Sequence, residues 1–196
     1  ISILSFLAYH YSLTIIDGVN GLFGTYNIVF LSIVLYFFKL DIQVKNFLLF
    51  LILINFFITY LNLKGLLFYG NSGSLTMSSI LPYIVLYIYN IRENDIYFFS
   101  YLSLILIPTL DMARLFIVRL INKKDPFSKD LNHLHHILLR KYNLNKSLIV
   151  YCSLCFIPFI VSETFRINAI ILIIIQISLF LFIIKDKKVK NQKINQ

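Results

Sequence analysis

Charge is what this sequence has least of. Only 14% of its 196 residues are Asp, Glu, Lys or Arg, where an ordinary soluble domain carries about 25%. Cysteine is nearly absent. Cys152 and Cys155 form a CxxC by spacing, but they lie in the apolar run KSLIVYCSLCFIPFIV with no second thiol pair or histidine beside them. That excludes a zinc ribbon and a disulfide framework, and leaves two small residues on one lipid-compatible helix face. The first apolar run is not expected to be a secretory leader, because it lacks a basic n-region and a small-residue cleavage site. Internal repeats are absent too.

What remains is hydrophobic. The chain is 59% hydrophobic and 16% aromatic, with a mean hydropathy of +0.80. Apolar runs near the ~20 residues that span a bilayer as a helix recur along its length. Seven segments follow, at 1–16, 22–38, 46–64, 75–90, 96–117, 146–163 and 167–184. The expected fold is all-α: a polytopic transmembrane helical bundle without a soluble domain, occupying 1–184. A polar loop at 118–145 interrupts it, and a lysine-rich tail at 185–196 follows. The sequence begins at Ile1 inside an apolar run, so an N-terminal portion is expected to be missing.

The formal net charge of +9 invites a nucleic-acid reading, but its distribution argues for topology. With seven alternating segments, the breaks at 17–21 and 64–74, the 118–145 loop and the tail share one face, carrying 14 of the 18 basic residues. The positive-inside rule makes that face cytoplasmic. The excess charge then serves orientation and contact with anionic membrane lipids, with no nucleic acid as partner.

The motifs with chemical character fall on that same face. DGVNG places Asp17 at the end of the first segment, where a carboxylate is costly and usually functional; the plainer alternative is a capped turn. FYGNSGS (68–74) offers small residues ahead of a helix expected at 75–90, a pattern that leaves amides free for phosphate; the plainer alternative is a flexible turn. Asp111 sits in the apolar segment PTLDMARLFIVRL with Arg114 at i+3, either a structural pair or a route for Arg114 and Arg119 to an anionic ligand. The sharpest signal is PFSKDLNHLHHILLRKY, which holds three of the four histidines at 133, 135 and 136. On a helix His133 and His136 would share a face and His135 would point elsewhere. Zinc would want further ligands. Imidazoles amid Lys123, Lys124, Lys129 and Arg140 suit phosphates better. A solvated surface helix is the remaining alternative.

In this order, DGVNGL, FYGNSGS and P-x-x-D…R…PF-x-x-D-x-x-H-x-H-H resemble the polyprenyl-phosphate N-acetylhexosamine-1-phosphate transferases (glycosyltransferase family 4), over residues 10 to 140. The histidine signature and tail look more like the undecaprenyl-phosphate GlcNAc-1-phosphate branch than the muramoyl-pentapeptide branch. The resemblance implies transfer of an amino-sugar-1-phosphate from a UDP-amino sugar to polyprenyl phosphate, releasing UMP, with Mg²⁺ as cofactor, in cell-envelope polysaccharide synthesis at a bacterial inner membrane. It implies catalytic roles for Asp17, His133, His135 and His136, substrate contacts from Asn62, Gly70, Ser72, Arg119 and Asp130, and metal contacts from Asp17 and Asn71. Pro126, Phe127 and Asp130 would hold the shape of the histidine loop. The chain also departs from the pattern. Asn71 and Asn20 stand where aspartates are usual, Leu131 replaces an arginine, and Asp125 replaces a serine. No two acids are adjacent, so the family's paired aspartates are absent. A second copy or a missing N-terminal half is the expected protein partner. The alternative function is a non-catalytic relative that binds polyprenyl phosphate or a UDP-sugar.

Overall fold

The computed structural model describes residues 2–91, 98–126, 128 and 131–185. Every regular element among them is helical: α1 (Ser2–Ile16), α2 (Leu22–Phe37), α3 (Ile42–Leu63), α4 (Gly70–Ile91), α5 (Phe98–Ile121), α6 (Leu134–Lys141), α7 (Leu144–Phe165) and α8 (Ala169–Lys185). Seven of these coincide with the seven apolar segments. The eighth, α6, lies inside the polar loop and carries His135 and His136. Two helices, α3 and α7, are long and apolar enough to cross a membrane, and α1, α2 and α8 are shorter apolar helices.

Two expectations need correction. The fourth helix starts at Gly70 rather than 75, so Asn71, Ser72 and Gly73 lie in its first turn rather than in a loop ahead of it. Gly70 enters with φ +63°, and Ser74 Oγ lies 2.8 Å from Gly70 O, a bond available to it within the helix. The polar loop is also shorter than 118–145. Helix α5 continues to Ile121, and α7 begins at Leu144 behind an Asn143 cap that accepts from Lys146 N at 3.0 Å. Residues 92–97, Phe127, Lys129, Asp130 and 186–196 lie outside the described residues, and with them most of the NIREND break and the basic tail.

The core is built around α5, which packs against α1, α7 and α8, while α2 lies on α3 and α7. Tyr9, Tyr26, Phe30, Phe156 and Phe159 are fully buried within it. Buried polar groups lock particular helices together. Tyr9 and Tyr26 share a 2.8 Å hydroxyl hydrogen bond, and Tyr26 donates on to Leu104 O at 3.2 Å. Gln176 of α8, wholly buried, donates to Ser103 O of α5 at 3.1 Å and to Leu154 O of α7 at 2.9 Å. Asn27, Asn55 and Tyr69 tie α2, α3 and the approach to α4 through bonds of 3.1 and 2.8 Å onto Asn55 Oδ1.

Outward faces stay apolar: Phe47, Phe50, Leu53, Phe56 and Phe57 project from α3, a continuous patch that water would penalise. The two ends of the bundle differ in chemistry. One gathers Phe38, Tyr89, Tyr101 and Phe159 in ring contact. The other gathers the 17–21 turn, the start of α4, α6 and the end of α8, where Lys141 Nζ donates to Ile183 O at 3.3 Å.

Candidate phosphate site

Asp111, buried in the second half of α5, organises the polar end. Its Oδ1 accepts from Arg114 Nη2 at 2.8 Å. Its Oδ2 accepts from Leu134 N at 3.0 Å and meets His133 Nδ1 at 2.9 Å. Arg114 also donates to Asn132 O at 2.6 Å. Residues 132, 133 and 134 are thus each held from α5, and α6 begins where that hold ends.

His133 is the N-cap of α6, with extended backbone at φ −62° and ψ 151°. Because it lies outside the helix, the i,i+3 argument fails, and His133 and His136 do not pair with His135 turned away. His135 is the middle ring. It stacks on His133 with centroids 5.5 Å apart and planes within 2°, and it meets His136 at 4.4 Å. Tyr151 of α7 closes the other side at 6.5 Å. Burial first, then the neighbouring His136 and His133 rings, push the His135 imidazole down from 6.5 to about 3, so it stays uncharged.

The 17–21 turn reaches the same place. A Cβ built on Gly18 would stand 3.6 Å from His135 Nε2 and 3.7 Å from His136 Nε2, so two imidazole edges converge on this backbone. Next to it, Asp17 is half-buried. Burial pushes its carboxyl up from 3.8 to about 6, offset in part by the Ser74 hydroxyl from α4. Asn62 fixes the other end of the turn: its Oδ1 accepts from Gly21 N at 2.5 Å and its Nδ2 donates to Leu67 O at 2.9 Å. Gly21 has φ +78° and is pressed on Leu63, so an L side chain there would meet both strain and a clash.

Of the residues singled out in the sequence, Asp17, His133, His135 and His136 come together with Gly18. Asn62 faces the backbone on both sides of its amide and acts on the turn itself. Gly70, Asn71 and Ser72 are exposed in the first turn of α4, whose Ser74 reaches Asp17. Arg119 is buried, with Nη1 donating to Pro126 O at 2.7 Å, and braces the loop. Asp130 lies outside the described residues. Sequence reasoning missed the reach of Asp111 to His133, 22 residues away, and the contact of Ser74 with Asp17. The one available signal was a carboxylate inside an apolar segment.

The residues fit Mg²⁺ only as a lightly held ion. Among the described residues no three His, Cys, Asp or Glu side chains cluster as a metal site, yet Asp17 is a half-buried carboxylate offset only by a hydroxyl. Mg²⁺ keeps water and phosphate ligands and uses few carboxylates, so one acid beside the start of α4 suits it.

The undecaprenyl-phosphate alpha-N-acetylglucosaminyl 1-phosphate transferase of Thermotoga maritima is 34% identical to this chain over 87 residues, covering 44% of the chain and 28% of that protein. This chain therefore matches well under a third of that relative's length. No family model matches the chain, and no solved structure matches it.

Proposed function

We propose that this chain is the phosphate-handling region of a membrane-embedded transferase. On this reading it moves an amino-sugar-1-phosphate from a UDP-sugar to polyprenyl phosphate. The observation that carries the reading is the convergence of Asp17–Gly18, the first turn of α4 and the three histidines at one end of an apolar bundle. The partial likeness to the Thermotoga protein supports the same class.

In this reading an oxygen of the lipid phosphate attacks the sugar-bearing phosphorus of the donor. The bond from that phosphorus to the bridging oxygen breaks, and its electrons leave with UMP. His136 and His135 offer ring nitrogens beside Gly18, where the two anionic partners must approach each other, and the exposed first turn of α4 offers amides to a phosphate. Asp17 with Asn71 would hold Mg²⁺, which when bound neutralises charge building on the donor phosphates. Arg119 keeps the histidine loop folded back, and Asn62 keeps the 17–21 turn in place. The apolar outer faces support a bilayer setting for the bundle, and the basic asymmetry favours a cytoplasmic side for the site and tail.

Asn71 favours a second reading, a relative that binds the prenyl phosphate or UDP-sugar without turnover, since a neutral amide replaces a charged ligand. The two separate in one experiment. The purified chain is mixed with farnesyl phosphate, UDP-GlcNAc and Mg²⁺, and both farnesyl phosphate binding and UMP release are measured. Binding weakened at least about tenfold by His136→Ala, about 1.4 kcal/mol, together with Mg²⁺-dependent UMP release, supports the transferase. Binding without UMP supports the second reading, and absence of both overturns the site.

A further inference from the structure

We propose that Asp111 is the positioning residue of this site: it fixes His133 as the Nδ1–H tautomer, so that Nε2 accepts the acidic hydrogen of a bound phosphate monoester. This rests on the phosphate reading above and names a role within it that the histidine motif alone does not assign.

The argument is one of donors and acceptors. Arg114 Nη2 and Leu134 N can only donate, and both aim at the Asp111 carboxylate, at 2.8 and 3.0 Å. A carboxyl taking two such bonds is ionised and has only acceptor oxygens to offer. His133 Nδ1, 2.9 Å from Oδ2, must therefore carry the hydrogen. In a neutral ring that leaves Nε2 bare. The ring is also fixed in place. Arg114 holds the carbonyl before it at 2.6 Å, Asp111 holds the amide after it, and His135 stacks flat against its face at 5.5 Å. A neutral His135 does not repel a charge formed on His133.

The step balances simply. The hydrogen of a singly protonated phosphate monoester passes to Nε2, the O–H electron pair stays on the phosphate oxygen, and no bond to phosphorus changes. The resulting imidazolium donates through Nδ1 to Asp111. A plain capping role for Asp111 on α6 would use Leu134 N and leave the histidine tautomer undetermined.

The test reads the tautomer itself. The full chain is labelled with ¹⁵N-histidine in micelles, and the His133 resonances are assigned by their loss in His133→Gln. At a pH where imidazole is neutral, the wild type is expected to show Nδ1 protonated and Nε2 bare, and farnesyl phosphate should move His133 to the doubly protonated form. Asp111→Asn turns an acceptor into a possible donor, so its His133 should invert to Nε2–H and lose that response to farnesyl phosphate. A wild type with Nε2–H, an unchanged tautomer in Asp111→Asn, or no protonation by farnesyl phosphate overturns the proposal. Should Asp111→Asn fail to fold, the two wild-type spectra decide alone. No sugar nucleotide enters these spectra, so their failure is distinct from absent UMP release.

Discussion

Removing the charge of Asp17 should make the protein more stable, and the sign of that effect tests whether the carboxylate is kept for a cation. Burial holds the Asp17 carboxyl near 6 instead of 3.8. Between those two pH values the folded chain retains a proton that the unfolded chain has released, so stability falls as pH rises through the window and stays reduced above it. Two pKa units correspond to about 3 kcal/mol. Asp17 is only half-buried, and solvent screening reduces the observable part to about 1 kcal/mol. In chelator near neutral pH, Asp17→Asn should therefore gain about 1 kcal/mol, or about 2–4 °C in Tm for a chain of this size. The two proteins should converge below the window. The assay is unfolding by sodium dodecyl sulfate in mixed micelles across the pH series, repeated with Mg²⁺, which should favour the wild type alone. A variant less stable than wild type in chelator above about pH 6 would refute the reasoning, because it would mean that the ionised carboxylate already has adequate partners within the chain.

His135 should impose the opposite slope. Its imidazole is held near 3 against an ordinary 6.5, so the stability it allows is complete above 6.5 and is lost as pH falls toward 3; His135→Gln should flatten acid unfolding over that interval, measured by the same titration. Two glycines separate strain from crowding. Gly65 has φ +69° with open space around it, whereas Gly21 has φ +78° against Leu63. Gly65→Ala should cost about 1 kcal/mol from left-handed strain, and Gly21→Ala about 2–4 kcal/mol once overpacking is added; equal losses in thermal unfolding would show that Leu63 moves aside freely.

The helices were legible because long apolar runs have few other ways to satisfy their backbone. The start of α4 was not, since glycine and serine at 70–74 read as a turn, while in the helix Ser74 Oγ has Gly70 O within reach at 2.8 Å. The convergence of the three motifs was legible from segment parity alone, and Gly18 beside His135 and His136 agrees with it. The ring arrangement was not legible, because helical periodicity says nothing about a residue held extended at the helix cap, as His133 is. Asp111 gave away its local partner, Arg114, by the i,i+3 spacing. Its distant partner depends on where α5 ends and α6 begins, which no local pattern encodes.

The bond network of Gln176 bears on how the protein is made. Its amide grips the carbonyls of Ser103 and Leu154, setting the spacing of α5 and α7 from within the last helix. Asp111 lies on α5, and α6 packs against α7, so the two helices that carry the carboxylate and back the histidines are braced by a residue that leaves the ribosome after both. A nascent chain paused before residue 176 would hold the direct bonds of Asp111 to the histidine loop and still lack this brace between α5 and α7. Synthesis thus adds the buried brace between α5 and α7 only when α8 packs against them.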